Sequence, residues 1–241
     1  MRSILRHANS SPSHHSVTRR GSVFPELKFH VEKTYESMGK LAADIVIAEL
    51  RKKPNLLLCA SAGSTPTPAY RSLAIRYSRQ PKLFKKLRVV QIDEWGGLPW
   101  RHPATCEIDL RVKLLEPLRI DSDRFVGFRS DAAKPEAECA RMAEWLAANG
   151  PIDLCILGLG LNGHVAMNEP RQTSIPHAHV THVADSSQNH SMLKGLPSKV
   201  RYGLTLGLGE ILSSKRILLL VSGSRKRAVL RRLLKPRVFC H

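Results

Sequence analysis

Hydrophobic and polar positions along the chain follow two alternating patterns. Between Val31 and Lys52, apolar side chains recur at helical spacing, namely Tyr35, Met38, Leu41, Ala42, Ile45, Val46 and Leu50. The next stretch, "NLLLCASAGSTP", is a continuous apolar run that ends in small polar residues, which is typical of a buried strand entering a turn. "TPAYRSLAIRY" then returns to helical spacing. The first third of the chain is therefore predicted to be helix, strand and helix.

The same alternation continues toward the C-terminus. Further strands are predicted at "LRVVQIDEW", "RFVGF", "IDLCILGLG", "RYGLTLG" and "RILLLVSGS". Helices are predicted at "ATCEIDLRVKLLEPL", at "EAECARMAEWLAANG" with Gly150 as its stop, and at "RKRAVLRRLL". Apolar strands that alternate with helices predict an α/β fold, a doubly wound, mostly parallel sheet with helices on both faces, Rossmann-like in its organisation. Ligands of such sheets bind at the carboxyl ends of the strands.

The two ends of the chain differ from this pattern. Residues 1–27 are rich in Ser, His and Arg without apolar periodicity, so a disordered basic tail is expected there. Residues 28–234 are predicted to form the domain. The ending "KPRVFCH", residues 235–241, continues neither a helix nor a strand, and we expect an atypical C-terminal end there.

The formal net charge of +18 is concentrated at the ends of the chain. Residues 215–241 carry nine Lys and Arg residues and no acid, and residues 1–27 carry four arginines against one glutamate. Aromatic residues make up only 5% of the chain, so the charge lacks the aromatic or groove-reading elements of a nucleic-acid binder. We therefore expect no nucleic-acid partner, whereas a moderate positive field favours a small anionic substrate.

Cysteine usage and hydropathy exclude several other classes. The five cysteines are scattered without a CxxC pair, which argues against a disulfide framework or a zinc site and for a reducing compartment. No run approaches the 18 apolar residues of a membrane-spanning helix. The expectation is a cytoplasmic protein with no membrane partner and no metal; its oligomeric state is left open.

Polar side chains follow the first predicted strand in a small-residue turn. Gly63 and Ser64 allow close approach of a ligand to the backbone, and a helix begins near Thr65 and Pro66. Free N–H groups at a helix start bind anions, and the hydroxyl groups of Ser64 and Thr65 add donors. This pattern fits a phosphate site or an ordinary turn with a Ser/Thr cap.

The second predicted strand ends in two carboxylates, Asp93 and Glu94. Because neighbouring strand residues point to opposite faces, only one of them should enter a given pocket. A partly desolvated carboxylate there could transfer protons, and a solvated acidic turn is the alternative.

The third strand end, "IDLCILGLGLNGHVAMNEP", offers His164 and Glu169, which would form an acid/base pair if the residues between them turn a helix. A His and a Glu that cap a buried turn are the alternative. After the last predicted strand, Lys226 lies where it could reach a phosphate, or it is one more exposed cation.

These motifs together resemble the glucosamine-6-phosphate deaminase/isomerase family, which shares its fold with 6-phosphogluconolactonase. The resemblance runs from about Lys28 to Leu234 and rests on "AGSTPTPAYRSL", "IDEWGGLP", "IDLCILGLGLNGHVAMNEP", "YGLTLGLGEIL" and "VSGSRK", in the family's order. The "NEP" after "GH" favours the aminosugar branch over the lactonase branch. The sequences "LGLGLNGH" and "QIDEWGG" are most similar to those of a subgroup assigned to galactosamine 6-phosphate.

The resemblance implies isomerisation of an aminosugar phosphate to a ketose phosphate with loss of ammonia and without a cofactor. It implies that Gly63, Ser64, Thr65 and Lys226 hold the phosphate. It further implies that His164 assists ring opening, that Glu169 orients this histidine, and that Asp93 moves a proton between C2 and C1. Glu94 is placed with the substrate-binding residues.

Three departures from the family pattern bear on this function. The family continues after Leu234 with another strand and helix, so the resemblance implies a C-terminally truncated sheet here. Asn162 stands where the deaminase branch usually has Asp, and an amide can position His164 or bind the sugar but cannot accept a proton. The segment "SSQNHSML" lacks the usual phosphate-binding Arg, and His190 is the nearest candidate. A lactonase and a catalytically impaired sugar-phosphate-binding paralogue are the alternative functions.

Overall fold

The computed structural model describes residues 27–170, 174–183, 185–188 and 190–234. The helices are α1 Tyr35–Lys52, α2 Thr67–Arg79, α3 Cys106–Leu110, α4 Pro135–Asn149, α5 Asp185–Gln188, α6 Leu208–Leu212 and α7 Arg227–Leu234. The strands are β1 Leu57–Ala60, β2 Arg88–Gln91, β3 Asp93–Trp95, β4 Phe125–Val126, β5 Leu154–Gly158, β6 His179–His182, β7 Tyr202–Thr205 and β8 Ile217–Leu220. Most of the predicted N-terminal tail and all of residues 235–241 lie outside the described residues.

Five strands form the central sheet in the order β4-β2-β1-β5-β8, and all neighbouring pairs are parallel. The chain builds outward from β1 to β2 and β4 on one side, and from β5 to β8 on the other. The strand order therefore reverses between β1 and β5, where a doubly wound sheet opens its ligand crevice. The predicted parallel α/β sheet is confirmed.

Side chains of alternate strand residues enter two separate cores. Leu58 and Ala60 of β1 pack with α1 and α2, whereas Leu57 and Cys59 pack with α4 and the second sheet described below. This period of two on a strand covered on both faces explains the continuous apolar run of β1.

A second sheet of three antiparallel strands, in the order β3-β7-β6, was not predicted. The predicted strand "LRVVQIDEW" divides at Ile92, whose N–H donates to Ala60 of the central sheet (3.2 Å) and whose carbonyl accepts from Leu206 beside β7 (2.9 Å). Ile92 thus transfers the chain from one sheet to the other. The prediction that Asp93 and Glu94 end a parallel strand is wrong in this respect, since both belong to β3.

The predicted helix at 104–118 is shorter and less regular than its apolar pattern suggested. After α3, a π-helical turn spans Arg111–Leu115. Such turns shift the facing of the side chains around them and are frequent at functional sites. In the described part of the chain, no helix combines the length and apolar content that a bilayer crossing requires.

Candidate functional site

The turn after β1 lies at the reversal of strand order and is fixed by hydrogen bonds to both backbone polar groups of one residue, Gly63. Gly63 has φ +98°, a conformation that favours glycine. Its N–H donates to Asp109 Oδ2 (2.8 Å), and its carbonyl accepts from Thr67 Oγ1 (2.9 Å) and Lys113 Nζ (3.2 Å). The two peptide groups that flank Gly63 are therefore anchored by three side chains.

The two residues after Gly63 face outward at the start of α2. Ser64 is exposed and Thr65 is partly exposed, and the Ser64 carbonyl accepts from the Tyr35 hydroxyl. Within the described residues, the N–H groups of Ser64 and Thr65 have no hydrogen-bond partner. Free N–H groups just before a thirteen-residue helix can donate to an anion, as the phosphate-site alternative of the sequence analysis requires.

His190 approaches this turn from another element, and Lys226 lies at the end of the neighbouring strand β5. A Cβ built at Gly63 would lie 3.7 Å from His190 Nε2, and the imidazole of His190 lies 5.7 Å from the Trp95 ring. Burial lowers the pKa of His190, with the nearby Asp109 carboxylate acting in the opposite direction. Lys226 donates to the Leu159 carbonyl at the end of β5, and burial lowers the pKa of its ammonium group.

The segment between His164 and Glu169 is a tight reversal, and the expected helical turn is wrong. Val165 and Asn168 form an isolated antiparallel bridge, with Asn168 N–H donating to the Val165 carbonyl (3.0 Å). Ala166 takes φ +51° at the tip of this reversal. The chain therefore returns upon itself and places Glu169 beside His164 without a helix.

Gly160 leaves the space that the His164 ring occupies. A Cβ at Gly160 would lie 2.5 Å from three atoms of the imidazole, well inside van der Waals contact. The backbone closes the same loop, since Gly160 N–H donates to the His164 carbonyl (2.8 Å). The glycine after β5 thus permits the histidine to pack directly on the backbone.

Asn162 connects the members of this loop. Its Oδ1 accepts from the His164 N–H (3.1 Å), and its Nδ2 donates to Glu169 Oε2 (2.5 Å). The other Glu169 oxygen, Oε1, lies 3.6 Å from His164 Nδ1, which has no hydrogen-bond partner among the described residues. An aspartate at position 162 would set two carboxylates against each other, whereas the amide converts this repulsion into a hydrogen bond.

The environment of His164 favours the neutral imidazole. Burial lowers its pKa most strongly; the Glu169 carboxylate raises it and the Lys226 ammonium lowers it. A neutral imidazole beside a carboxylate can accept a proton and return it.

The adjacent carboxylates of β3 occupy opposite environments, as the strand geometry predicted. Asp93 remains partly accessible, yet burial by surrounding protein atoms, with the Glu94 charge, raises its pKa to about 7. Glu94 is 0% exposed. Its Oε1 accepts from the N–H groups of Trp95 and Cys106 (both 2.7 Å), and its Oε2 from Glu107 N–H (2.8 Å) and Gln91 Nε2 (2.9 Å).

This arrangement separates Glu94 from the crevice. With four donors on its two oxygens, it holds the start of α3 against β3 and has no accessible atom for a ligand. Burial still raises its pKa, although the hydrogen bonds act in the opposite direction. We therefore assign Glu94 a structural position and do not retain it among the ligand-binding candidates.

Thr205 of β7 links Asp93 to the loop that carries His164. Asp93 and Thr205 are register partners, and Thr205 Oγ1 accepts from Met167 N–H (3.3 Å). Asn168 is buried and donates to Thr205 Oγ1 (3.4 Å) and to the Leu206 carbonyl (2.9 Å). Asn168 therefore anchors the loop next to Asp93.

Sequence reasoning missed Asp109 and Lys113, whose ion pair lies at the turn containing Gly63. Their spacing of four residues on a predicted helix was the available signal, but such pairs are common on exposed helix faces. Among the described residues, no group of three or more His, Cys, Asp or Glu side chains is placed to hold a metal ion.

Comparison with known proteins places these features in one family. Residues 30–238 match the family described as glucosamine-6-phosphate isomerases/6-phosphogluconolactonase. The chain is 36% identical over 206 residues to the protein named "Putative deaminase AgaI" of Escherichia coli (strain K12), covering 86% of this chain and 82% of that protein. It is 34% identical over 191 residues to the glucosamine-6-phosphate deaminase of Streptomyces coelicolor (strain ATCC BAA-471 / A3(2) / M145), covering 78% and 73%.

Solved structures share the fold. A monomeric glucosamine-6-phosphate deaminase matches with a TM-score of 0.81 and 31% identity, over 86% of this chain and 87% of that chain. The 6-phosphogluconolactonase from Trypanosoma brucei matches with a TM-score of 0.69 at 20% identity, over 86% of each chain, which is a likeness of fold. The parallel sheet, the reversal of strand order and the sequence match agree. The chain therefore belongs to the glucosamine-6-phosphate isomerase/6-phosphogluconolactonase family.

Proposed function

We propose that the protein is an aminosugar-phosphate deaminase that converts galactosamine 6-phosphate to the ketose 6-phosphate and ammonia, with glucosamine 6-phosphate as the alternative epimer. The observation that carries this proposal is the partly accessible Asp93, with a pKa of about 7, next to the loop that holds His164. Two relatives that are named deaminases, at 36% and 34% identity, support the same reaction.

The phosphate of the substrate is proposed to bind the turn that follows β1. The free N–H groups of Ser64 and Thr65 would donate hydrogen bonds to its oxygens, and Gly63 permits their close approach. His190 beside Gly63 would add a donor, and Lys226 at the end of β5 would add a positive charge. This subsite fixes the end of the sugar remote from the reacting carbons.

Ring opening is proposed as the first proton transfer. The neutral His164 imidazole would accept the proton of the anomeric hydroxyl and return it to the ring oxygen, giving the open-chain aldehyde. Glu169 stabilises the imidazolium that forms, while Asn162 holds this carboxylate in place.

Isomerisation is proposed as the second transfer. Ionised Asp93 would remove the proton on C2, next to the aldehyde carbon and the amino group, and deliver it to C1, while the aldehyde oxygen takes up the proton that the amino group loses. The resulting imine at C2 is hydrolysed by water, so that the ketone forms and ammonia leaves. A carboxyl group with a pKa of about 7 is suited to taking and returning a proton near neutral pH.

An ammonia-release assay with galactosamine 6-phosphate and glucosamine 6-phosphate tests this proposal. We expect equal amounts of ammonia and ketose 6-phosphate from at least one epimer. Hydrolysis of 6-phosphogluconolactone without ammonia release would instead support the lactonase. Thermal stabilisation by sugar phosphates without turnover would support a binding paralogue.

Asn162→Asp is expected to move the acidic limb of the kcat/KM profile upward by a fraction of a pH unit, since Asp93, with a pKa of about 7, also limits activity at low pH. The new carboxylate would face Glu169 Oε2 across the present 2.5 Å contact and add negative charge near His164. Negative charge raises the pKa of the histidine, so a higher pH is needed to obtain its neutral form. The pH dependence of kcat/KM, measured with the purified variant between pH 5 and 9, checks this expectation.

Asn162→Ala is the matched control for that experiment. It removes the same hydrogen bonds to Glu169 and His164 without adding a charge, so it should lower kcat but leave the acidic limb without an upward shift. An unchanged profile in Asn162→Asp would show that position 162 does not act on the histidine.

A further inference from the structure

We propose that Asp109 and Lys113 form a charge-balanced pair that positions the phosphate turn. This inference rests on the phosphate subsite of the proposed function. It assigns the pair two effects: Asp109 orients the peptide at Gly63, and Lys113 neutralises the carboxylate so that it does not repel a phosphate dianion.

The contacts at Gly63 show how the turn is oriented. Asp109 Oδ2 accepts the Gly63 N–H at 2.8 Å, and the same carboxylate pairs with the Lys113 ammonium through Oδ1. Lys113 Nζ also donates to the Gly63 carbonyl at 3.2 Å. Because both polar groups of Gly63 are occupied, the next two N–H groups, of Ser64 and Thr65, are those left for a ligand.

The burial of the pair distinguishes it from ordinary surface ion pairs. The Asp109 side chain is 13% exposed and that of Lys113 is 28% exposed. The two residues lie on either side of the junction between α3 and the π-helical turn, which directs both toward β1. A helical irregularity at this place is consistent with a functional constraint on their direction.

The largely buried carboxylate of Asp109 lies beside the proposed phosphate subsite, and its negative charge there is balanced by Lys113. Asp109 carries a negative charge close to the N–H groups that would bind the phosphate, and repulsion between like charges is strong where water is excluded. His190 alone does not balance it, because burial lowers the pKa of that histidine and its positive form is disfavoured at high pH. Lys226 donates a hydrogen bond to the Leu159 carbonyl at the end of β5. The ammonium of Lys113 supplies the compensating charge.

Binding of glucitol 6-phosphate, an open-chain sugar phosphate that cannot be deaminated, tests the proposal by calorimetry at pH 8, with unphosphorylated glucitol as the ligand control. Lys113→Met leaves Asp109 unbalanced and should weaken binding about tenfold. Asp109→Asn keeps an oxygen for the Gly63 N–H and leaves the positive charge of Lys113 unpaired, so it should tighten binding about threefold. The double variant restores the charge balance and should return the affinity to within about threefold of the unmodified protein.

Lys86→Met serves as the charge control, because Lys86 is exposed just before β2, at the edge of the sheet opposite the crevice. It should bind glucitol 6-phosphate like the unmodified protein. Weakened binding in all three variants of the pair, without rescue in the double variant, would overturn the charge-balance proposal. The test holds even if Lys113→Met folds poorly, because tighter binding is expected for Asp109→Asn. Ammonia release by the unmodified protein is measured separately, so a failure of the pattern leaves the proposed reaction standing. Absence of phosphate-dependent binding in the unmodified protein would overturn the charge-balance proposal together with the phosphate subsite on which it rests.

Discussion

Replacing Asp93 with asparagine is expected to reduce turnover by about 10³-fold while making the folded protein more stable at pH 8. An amide cannot take the proton from C2, so the isomerisation step is lost. The same change removes a carboxylate whose ionisation the fold disfavours, because burial and the Glu94 charge raise its pKa to about 7. Loss of activity and gain of stability should therefore appear in one variant.

The pH dependence of stability gives the sign of this effect. At pH 3 Asp93 is protonated in both the folded and the unfolded chain, so it imposes no penalty. Between pH 4 and about 7 the unfolded chain loses the proton while the folded protein retains it, and the free energy of unfolding falls as the pH rises. Above pH 7 the penalty is complete, and Asp93→Asn should exceed the unmodified protein by roughly 2–4 kcal/mol.

Urea unfolding at pH 5 and pH 8, together with the ammonia-release assay, measures both consequences. Asp123→Asn is the control, since Asp123 is an exposed carboxylate away from the crevice and should change neither quantity. Turnover within about tenfold of normal in Asp93→Asn would refute the proton-transfer role. Equal stability of the two proteins at pH 8 would show that the Asp93 carboxylate is better solvated than its surroundings indicate.

Glu94→Gln is expected to produce the opposite result, namely a large loss of stability with little change in kcat of the folded enzyme. A glutamine has one carbonyl oxygen for the four donors that now converge on Glu94, and its amide N–H₂ would face two of them. Each buried donor left without a partner costs about 1–3 kcal/mol, so we expect a loss of roughly 2–5 kcal/mol and a lower Tm by about 5–15 °C.

Thermal unfolding and steady-state kinetics at 20 °C separate this structural position from a role in substrate binding. Glu116→Gln, at an exposed site just after the π-helical turn, makes the same chemical change where no buried donors depend on it. Its Tm should match that of the unmodified protein. A normal Tm with a strongly raised KM in Glu94→Gln would return Glu94 to the substrate-binding residues.

The central sheet could be predicted from the sequence because its signal is local. β1, β5 and β8 are continuous apolar runs, and each is preceded or followed by a helix with a clear apolar face. Strands covered on both faces produce such runs by physical necessity. The placement of the turn at Gly63 and the loop at His164 on either side of the reversal followed from that sheet.

The second sheet could not be predicted because the residue at which the chain passes from one sheet to the other has no distinctive local sequence. Ile92 is apolar and continues the pattern of β2, yet its N–H and its carbonyl bond to different sheets. β6 carries histidines at both ends, so its alternation did not stand out as a strand. The pairing of β3, β7 and β6 depends on long-range contacts that sequence spacing does not encode.

The site shows the same division between local and distant information. Residue types at the strand ends identified Asp93, His164, Glu169 and Lys226 as candidates. Whether Asn162 positions Glu169, whether Glu94 is accessible and whether Asp109 reaches the turn depend on distances between separate elements. These are the points on which the structure changed or sharpened the interpretation.

The product balance of the purified protein with each aminosugar 6-phosphate tests the proposed deamination most directly. Ammonia is determined enzymatically and the ketose 6-phosphate by NMR, for the unmodified protein and for Asp93→Asn in parallel. We expect equimolar ammonia and ketose 6-phosphate from at least one epimer, and formation of both products about 10³-fold slower with Asp93→Asn. Absence of ammonia from both epimers, with the protein folded and able to bind glucitol 6-phosphate, would contradict the proposed deamination.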